Sequence, residues 1–180
     1  ACGGSFASSY PARFLLNQES SLRVQGYNSS EFVNATPKNV DKNTLVIGTS
    51  TKATAETVEA LKVAKEKGAV TVGLSGYADS LTAQTADYYI TYYHADEWYK
   101  DPTLVHYNSQ GTALKIAFWL LKEYDNYEAY DKALEGFEKL ETIYGKAYID
   151  VRAEAAKFAM TYKDDTVWNV MSSGAAWEVS

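Results

Sequence analysis

Two short, almost unbroken apolar runs flank one amphipathic segment, and this arrangement restricts the fold more than any other feature of the chain. Thr44-Leu45-Val46-Ile47-Gly48 and Ala69-Val70-Thr71-Val72-Gly73-Leu74 are each about one strand long. Neither alternates polar with apolar, as a strand with one solvated face would. Between them, Thr54 to Lys67 places Val58, Leu61, Val63 and Ala64 on one helical face, and Gly68 follows as the stop. Strand, helix and strand of this kind predict a parallel βαβ unit with a right-handed crossover, buried on both faces. Ser80–Thr85 adds a weak helix, and Asp87–Tyr92 adds a tyrosine-rich strand. The expected fold is α/β, a doubly wound parallel sheet in a three-layer sandwich.

Upstream, Ser5 to Gln18 predicts a helix after a tight glycine turn, and Leu22 to Tyr27 predicts a short strand. Asn28-Ser29-Ser30-Glu31 is a cap-like cluster before a short helix that ends by Pro37. After Pro102 the pattern changes. Ala113 to Tyr124 is apolar almost all round and predicts a buried helix. Tyr127 to Glu141 predicts another, which Gly145 should separate from a long amphipathic helix carrying Tyr144, Tyr148, Val151, Ala155, Phe158 and Tyr162. Thr166 to Met171 then predicts a fresh strand. The Ser172-Ser173-Gly174-Ala175-Ala176 turn after it echoes Ala1-Cys2-Gly3-Gly4-Ser5-Phe6.

We therefore expect an α/β domain over 1–102 that lacks its first strand. A helical linker segment over 103–165 packs on it, and a second unit begins over 166–180. Both ends are expected to be cuts through a longer chain.

Composition narrows the function classes. At 180 residues, a domain buries roughly 70% of the surface its unfolded chain exposes, so a full core needs no staples. Acidic residues outnumber basic ones 23 to 17, for a net charge of −6, and no Lys/Arg cluster exists. That argues against a nucleic-acid partner. The lone Cys2 precludes an internal disulfide or a structural zinc cluster. No apolar run approaches the ~18 residues of a membrane span.

Two segments have the residues for anion chemistry. Cys2-Gly3-Gly4-Ser5 opens a helix, so its backbone can approach a phosphate closely, or it is only a tight turn. It matches neither a Walker A loop nor the dinucleotide fingerprint. The second segment, Thr49-Ser50-Thr51-Lys52-Ala53-Thr54-Ala55-Glu56-Thr57, leaves a buried strand at its carboxyl end, where open α/β sheets bind ligands. Its hydroxyls and helix-start N–H groups suit phosphate. The competing account is helix capping by Thr51 or Thr54. Glu56 fits a first-turn dipole partner better than a catalytic acid. Cys2 reads as a small buried filler, and His94 and His106 as surface or interface residues. Tyr88, Tyr89, Tyr92, Tyr93, Trp98 and Tyr99 suit core or interface packing better than sugar stacking.

The segments Ala1–Ser5 and Thr49–Thr57 resemble the two phosphosugar-binding segments of the sugar isomerase (SIS) domain family. Ser30-Glu31-Phe32 is similar to a segment found between them in many members. Asn28 to Pro37 and Glu123 to Asp131 especially resemble the fructosamine 6-phosphate deglycases, and the likeness runs from Ala1 to Ser180.

The resemblance implies a flavodoxin-like SIS fold, two such units per chain, a cytoplasmic homodimer or higher homo-oligomer, and no metal or organic cofactor. It implies a sugar phosphate as ligand, held by Ser5, Thr49, Thr51 and Thr54, with Ser50 and the Gly4 backbone beside them. In the deglycases it implies cleavage of a 6-phosphofructosyl or 6-phosphoglucosyl amine to hexose 6-phosphate and an amine. The alternative is a non-catalytic module that senses a sugar phosphate in a regulatory protein. Glu31 is placed to approach the sugar or to cap the turn that follows it. Lys52 stands where the family usually has glycine, so it either adds a cation or obstructs the loop's backbone geometry. The family's catalytic glutamate and histidine have no counterpart before Ser180 and are expected after it.

Overall fold

The computed structural model of the chain describes residues 1–92, 102–167 and 169, and for 102–107, 141 and 144 the backbone only. Its centre is a parallel sheet of three strands in the order β1 (Leu45–Thr49), β2 (Val70–Ser75) and β3 (Tyr88–Thr91). Helix α4 (Ala55–Glu66) joins β1 to β2, and α5 (Leu81–Thr85) joins β2 to β3. The α/β architecture read from the apolar runs is the observed one, with strand ends within a residue or two of those expected.

Both crossover helices lie on one face of the sheet, together with α3 (Ser29–Asn34), which packs against α4. Here Phe32, Val40, Ala60, Ala64 and Ala69 form a core that takes in Val46 of β1. The opposite face is covered by α6 (Pro102–Asp125), whose Ala113 and Ile116 meet Leu74 and Tyr92. Helix α1 (Gly3–Ser8) lies against α6, and α2 (Tyr10–Glu19) packs on α6 through Ala12, Leu16, Ala117, Leu120 and Leu121. Ser20 Oγ and Ser21 N–H donate to the Asp125 carboxylate at 2.6 and 3.0 Å, tying the end of α2 to the end of α6.

The crossover helices sit close to the sheet because two glycines lie side by side. Gly48 and Gly73 are register partners, so both point to the same face. A Cβ at Gly48 would meet the Leu61 side chain at 2.8 Å, and one at Gly73 would meet the Thr82 carbonyl oxygen at 2.5 Å. Near the base of the sheet, Asp87 stitches β2 to β3. Its Oδ2 accepts the Thr71 N–H at 2.9 Å and the Thr71 hydroxyl at 2.7 Å, and its Oδ1 pairs with Lys65 Nζ at 3.0 Å.

Several expected elements differ. Leu22–Tyr27 is not a strand. Leu22 and Val24 pack on the α2–α6 core, and among the described residues no strand lies alongside to take their backbone bonds. The single helix expected over 5–18 is two, broken at Ser9. Pro11 lacks an N–H and its ring would clash with the carbonyl four residues back, so the chain tightens there into a Ser9 N–H to Phe6 O bond of 3.2 Å. Gly145 does not separate two helices. It lies inside one continuous helix, α7 (Tyr130–Tyr162), since an interior glycine costs only ~1 kcal/mol relative to alanine.

Helix α7 packs on α6 near its start, where the Phe118 and Phe137 rings meet at 5.9 Å. Farther along, Ile149, Val151, Phe158 and Met160 are exposed, so the expected neighbour is absent among the described residues. The sheet is also less covered than its apolar strands predict. Leu45 and Ile47 stay partly exposed, as do Tyr88, Tyr89 and Ile90 on the edge strand β3. The expected strand over 166–171 and the turn after it lie outside the described residues, except for Thr166, Val167 and Asn169.

Two outcomes follow. Gly73→Ala should lower stability in urea unfolding by about 1–3 kcal/mol, as overpacking does. Gly136→Ala, with open space around it on α7, should raise stability by up to about 1 kcal/mol. A neutral Gly73→Ala would show that α5 does not press on the sheet. The Thr71 hydroxyl and N–H, and then Lys65, hold the Asp87 carboxyl down from its ordinary 3.8 to about 2. A carboxyl depressed in this way stabilises the fold above about pH 4, and the contribution fades as pH falls toward 2. Asp87→Asn should therefore flatten the loss of stability between pH 4 and pH 2. Parallel curves for variant and parent would count against these bonds.

Candidate functional site

The carboxyl ends of the three strands form one rim. Backbone bonds align it: Ser50 N–H donates to Leu74 O, Gly76 N–H to Thr51 O and Tyr92 N–H to Ser75 O, each at 3.0 Å. Thr49 is the last residue of β1, and Thr49 and Ser50 are buried. The following residues turn into α4, whose N-cap Thr54 is extended and makes no side-chain cap bond. The hydroxyls Thr49, Ser50, Thr51 and Thr54 are thus gathered between a strand end and a helix start.

Their hydrogen bonds show what each can still do. Ser50 Oγ accepts the Thr54 N–H at 3.0 Å and shares a further 3.0 Å bond with Thr54 Oγ1. Whichever hydroxyl donates, the other keeps its proton. Capping therefore falls to Ser50, not to Thr51 or Thr54 as the sequence suggested. Thr51 Oγ1 accepts the Tyr92 hydroxyl at 2.9 Å, so its own proton is not used in that bond. Burial pushes the Tyr92 hydroxyl above its ordinary pKa. These bonds leave two hydroxyl protons uncommitted beside the positive end of the α4 dipole, that of Thr51 and one of the Ser50–Thr54 pair. That combination favours an acceptor-rich anion.

Thr49 lies on the side of the loop that meets α1. It borders an apolar cavity of about 150 Å³ shared with Phe6 and Ser9 at the α1–α2 junction and with Ala113 and Ala117 of α6. Gly4 and Ser5 lie in the first turn of α1, with Ser5 partly exposed. Thr49 and Phe6 of α1 thus line one cavity, which Gly4 and Ser5 do not line.

Of the two roles read for Glu31, the capping one is seen. Glu31 completes a capping box on α3, accepting the Asn28 N–H at 3.2 Å while Asn28 Oδ1 accepts the Ser30 N–H at 3.2 Å. Glu56 is exposed in the first turn of α4, as a dipole partner would be. Cys2 is half-buried rather than a fully buried filler, with Sγ 3.8 Å from Asn28 Oδ1. Among the tyrosines expected to pack, Tyr92 is in the core while Tyr88 and Tyr89 are exposed. Tyr93, His94, Trp98 and Tyr99, and the side chain of His106, lie outside the described residues. Among the described residues no cluster of His, Cys, Asp and Glu could hold a metal, and no helix is long and apolar enough to cross a membrane.

Sequence reasoning overlooked Ser75 and Ser80. Ser75 Oγ donates to Thr51 O at 3.2 Å and shares a 2.8 Å bond with Ser80 Oγ. Ser80 caps α5 by accepting the Ala83 N–H at 3.1 Å. The signal was available. Ser75 ends its apolar run as Ser50 follows β1, two residues past the glycine that pairs Gly48 with Gly73.

A parallel sheet with a hydroxyl-rich loop opening a helix at its carboxyl edge defines an α/β domain whose strand ends and helix starts meet along one rim. The chain belongs to the SIS domain family, whose profile matches residues 1–121. It is 32% identical over 182 residues to Fructosamine deglycase FrlB of Bacillus subtilis (strain 168), covering 100% of this chain and 54% of that protein. It is 32% identical over 93 residues to Fructoselysine 6-phosphate deglycase of Escherichia coli (strain K12), covering 51% of this chain and 27% of that protein.

The chain thus spans about half the length of the Bacillus deglycase. Its fold superposes on a proposed phosphosugar isomerase from Salmonella typhimurium LT2 with a TM-score of 0.86 at 36% identity, over 96% of this chain and 52% of that one. The C-terminal domain of glucosamine-fructose-6-phosphate aminotransferase from Francisella tularensis shares the fold, with a TM-score of 0.71 at 16% identity over 91% of this chain and 47% of that one.

Proposed function

We propose that this chain binds the phosphate of a hexose phosphate through Thr49, Ser50, Thr51 and Thr54, with the Gly4 backbone and Ser5 completing the site. The binding belongs to a cytoplasmic enzyme that cleaves a 6-phosphofructosyl or 6-phosphoglucosyl amine into hexose 6-phosphate and an amine. The observation that carries the phosphate is the pattern of unused protons at the rim: Thr51's, and one of the Ser50–Thr54 pair, beside the start of α4. What supports the deglycase reaction is the 32% identity to FrlB along the whole chain.

The loop residues themselves are hydroxyls, one alanine and Lys52. None is a carboxylate or imidazole suited to moving a proton at the sugar carbons. In this reading the loop anchors and orients the substrate by its phosphate, and the acid and base are supplied from outside the loop. Anchoring at the phosphate fixes the distance from loop to reacting carbon, which is how binding remote from the chemistry contributes to rate.

The test is a calorimetric titration of the full protein with glucose 6-phosphate and fructose 6-phosphate, alongside release of amine from a 6-phosphofructosyl amine. Ligand at 100 times its Kd should add ~2.7 kcal/mol of stability. Ser5→Ala combined with Thr51→Ala should weaken binding while leaving the melting temperature of the unliganded protein nearly unchanged. No thermal shift with any hexose phosphate at millimolar concentration would sink the reading. Unchanged affinity in the double variant would place the phosphate elsewhere.

A homo-oligomer belongs to the same reading. Its support is the run of exposed apolar side chains on α7, which a monomer would leave in water. Light scattering after gel filtration should give at least a dimer, and Val151→Glu with Phe158→Glu should shift it toward monomer. A monomeric parent protein would remove the oligomer from the reading.

A further inference from the structure

Tyr92 and Ser109 stand just inside the rim and take no part in the phosphate contacts described above. Tyr92 follows β3 and is 3% exposed, packed with Leu74 against Ala113 and Ile116 of α6. Its hydroxyl crosses the rim to Thr51, forty-one residues earlier in the chain, and donates to Thr51 Oγ1 at 2.9 Å. Ser109, one helical turn before Ala113 on α6, is 2% exposed, and its Oγ has no hydrogen-bond partner of full geometry. It nevertheless lies close enough to influence the Tyr92 hydroxyl. A buried hydroxyl without a partner is costly and is rarely left so without a reason.

The chemistry of these three groups runs in one direction. A phenol has a single proton, and Tyr92 gives it to Thr51. Thr51 Oγ1, having accepted, is left with one proton that points away from the tyrosine. Ser109 can supply the donor that the Tyr92 oxygen lacks. Each donation polarises the next hydroxyl, so the last proton becomes a better donor than that of an isolated threonine.

We propose that Tyr92 is a positioning residue for the anion site: by donating to Thr51 it commits the Thr51 proton to the ligand, with Ser109 behind it as the start of a Ser109–Tyr92–Thr51 donor chain. The inference rests on the reading that Thr51 binds the ligand phosphate. It adds the residue that follows β3 and one from α6 to a site otherwise built from β1, α4 and α1. Tyr92 does not touch the ligand. Its effect passes through the orientation of Thr51.

The experiment is a double-mutant cycle in the full protein, read by calorimetric titration with glucose 6-phosphate. Tyr92→Phe keeps the ring and its packing and removes only the donor. It should raise Kd about fivefold, the effect of losing one modest hydrogen bond. Thr51→Val should raise Kd at least as much. The combined variant should bind no more weakly than Thr51→Val alone, because the tyrosine acts only through that hydroxyl.

Ser109→Ala should raise Kd in the same direction and show the same loss of effect in the Thr51→Val background. It serves as the cycle's second arm should Tyr92→Phe fold poorly. If Thr51→Val weakens binding while Tyr92→Phe and Ser109→Ala do not, the donor chain is overturned and the phosphate reading stands. If the effects of Tyr92→Phe and Thr51→Val simply add, Tyr92 acts by packing and the proposal is again overturned. If none of the three changes Kd, both the chain and the placement of phosphate at Thr51 fall.

Discussion

The close seating of α4 and α5 on the sheet is the constraint on which the rest depends. Gly48 and Gly73 point to the same face at the same level, and any larger side chain would meet Leu61 or the Thr82 carbonyl. Because α4 comes this close, its start lies directly over the end of β1. That puts the Thr54 N–H within 3.0 Å of Ser50 Oγ. Were the helix an ångström or two farther out, Ser50 could no longer cap it, and the loop hydroxyls would lose their common frame. The same approach brings Ser80, the cap of α5, to Ser75 at the end of β2. One packing requirement thus orders two helix starts along a single edge, where the partial positive charge of each helix begins.

Along that edge, most hydroxyls bond to one another, and this leaves a definite surplus. Ser50 and Thr54 share one proton between two oxygens, and Thr51 accepts from Tyr92. A hydroxyl that accepts within the protein is free to donate outward, and an acceptor-only anion is the ligand that fits it. The net charge of −6 therefore does not argue against an anionic ligand. The proposed binding uses neutral donors and helix N–H groups, and it needs no basic surface. Such a site is also insensitive to the titration of cations, unlike one built from lysines.

The local pattern revealed some elements better than others. The β1–α4–β2 unit was legible because its apolar runs, its helical face and the Gly68 stop all pointed the same way. The capping box at Asn28 and Glu31 was legible for the same reason, since it is closed within four residues. Leu22–Tyr27 was misread because its alternation of apolar residues serves packing on α2 and α6, with no strand beside it among the described residues. The two helices expected on either side of Gly145 merge because continuous packing and backbone bonding outweigh one glycine. At the site, the hydroxyl-rich loop could be seen in the sequence. Tyr92 could be read only as an aromatic suited to packing. Its polar role depends on a partner forty-one residues away that only the parallel register brings within reach.

The division of labour is therefore physical. Periodicity, glycine stops and hydroxyl clusters are local properties of the chain, and they were enough to read a parallel α/β sheet with a hydroxyl-rich loop at the carboxyl end of β1. Which hydroxyl caps α4, which proton is left over, and which side chains after β3 and on α6 reach the loop depend on distances between segments far apart in the chain. Those distances are set by the strand register and by how closely helices pack on paired glycines, and no local pattern encodes them.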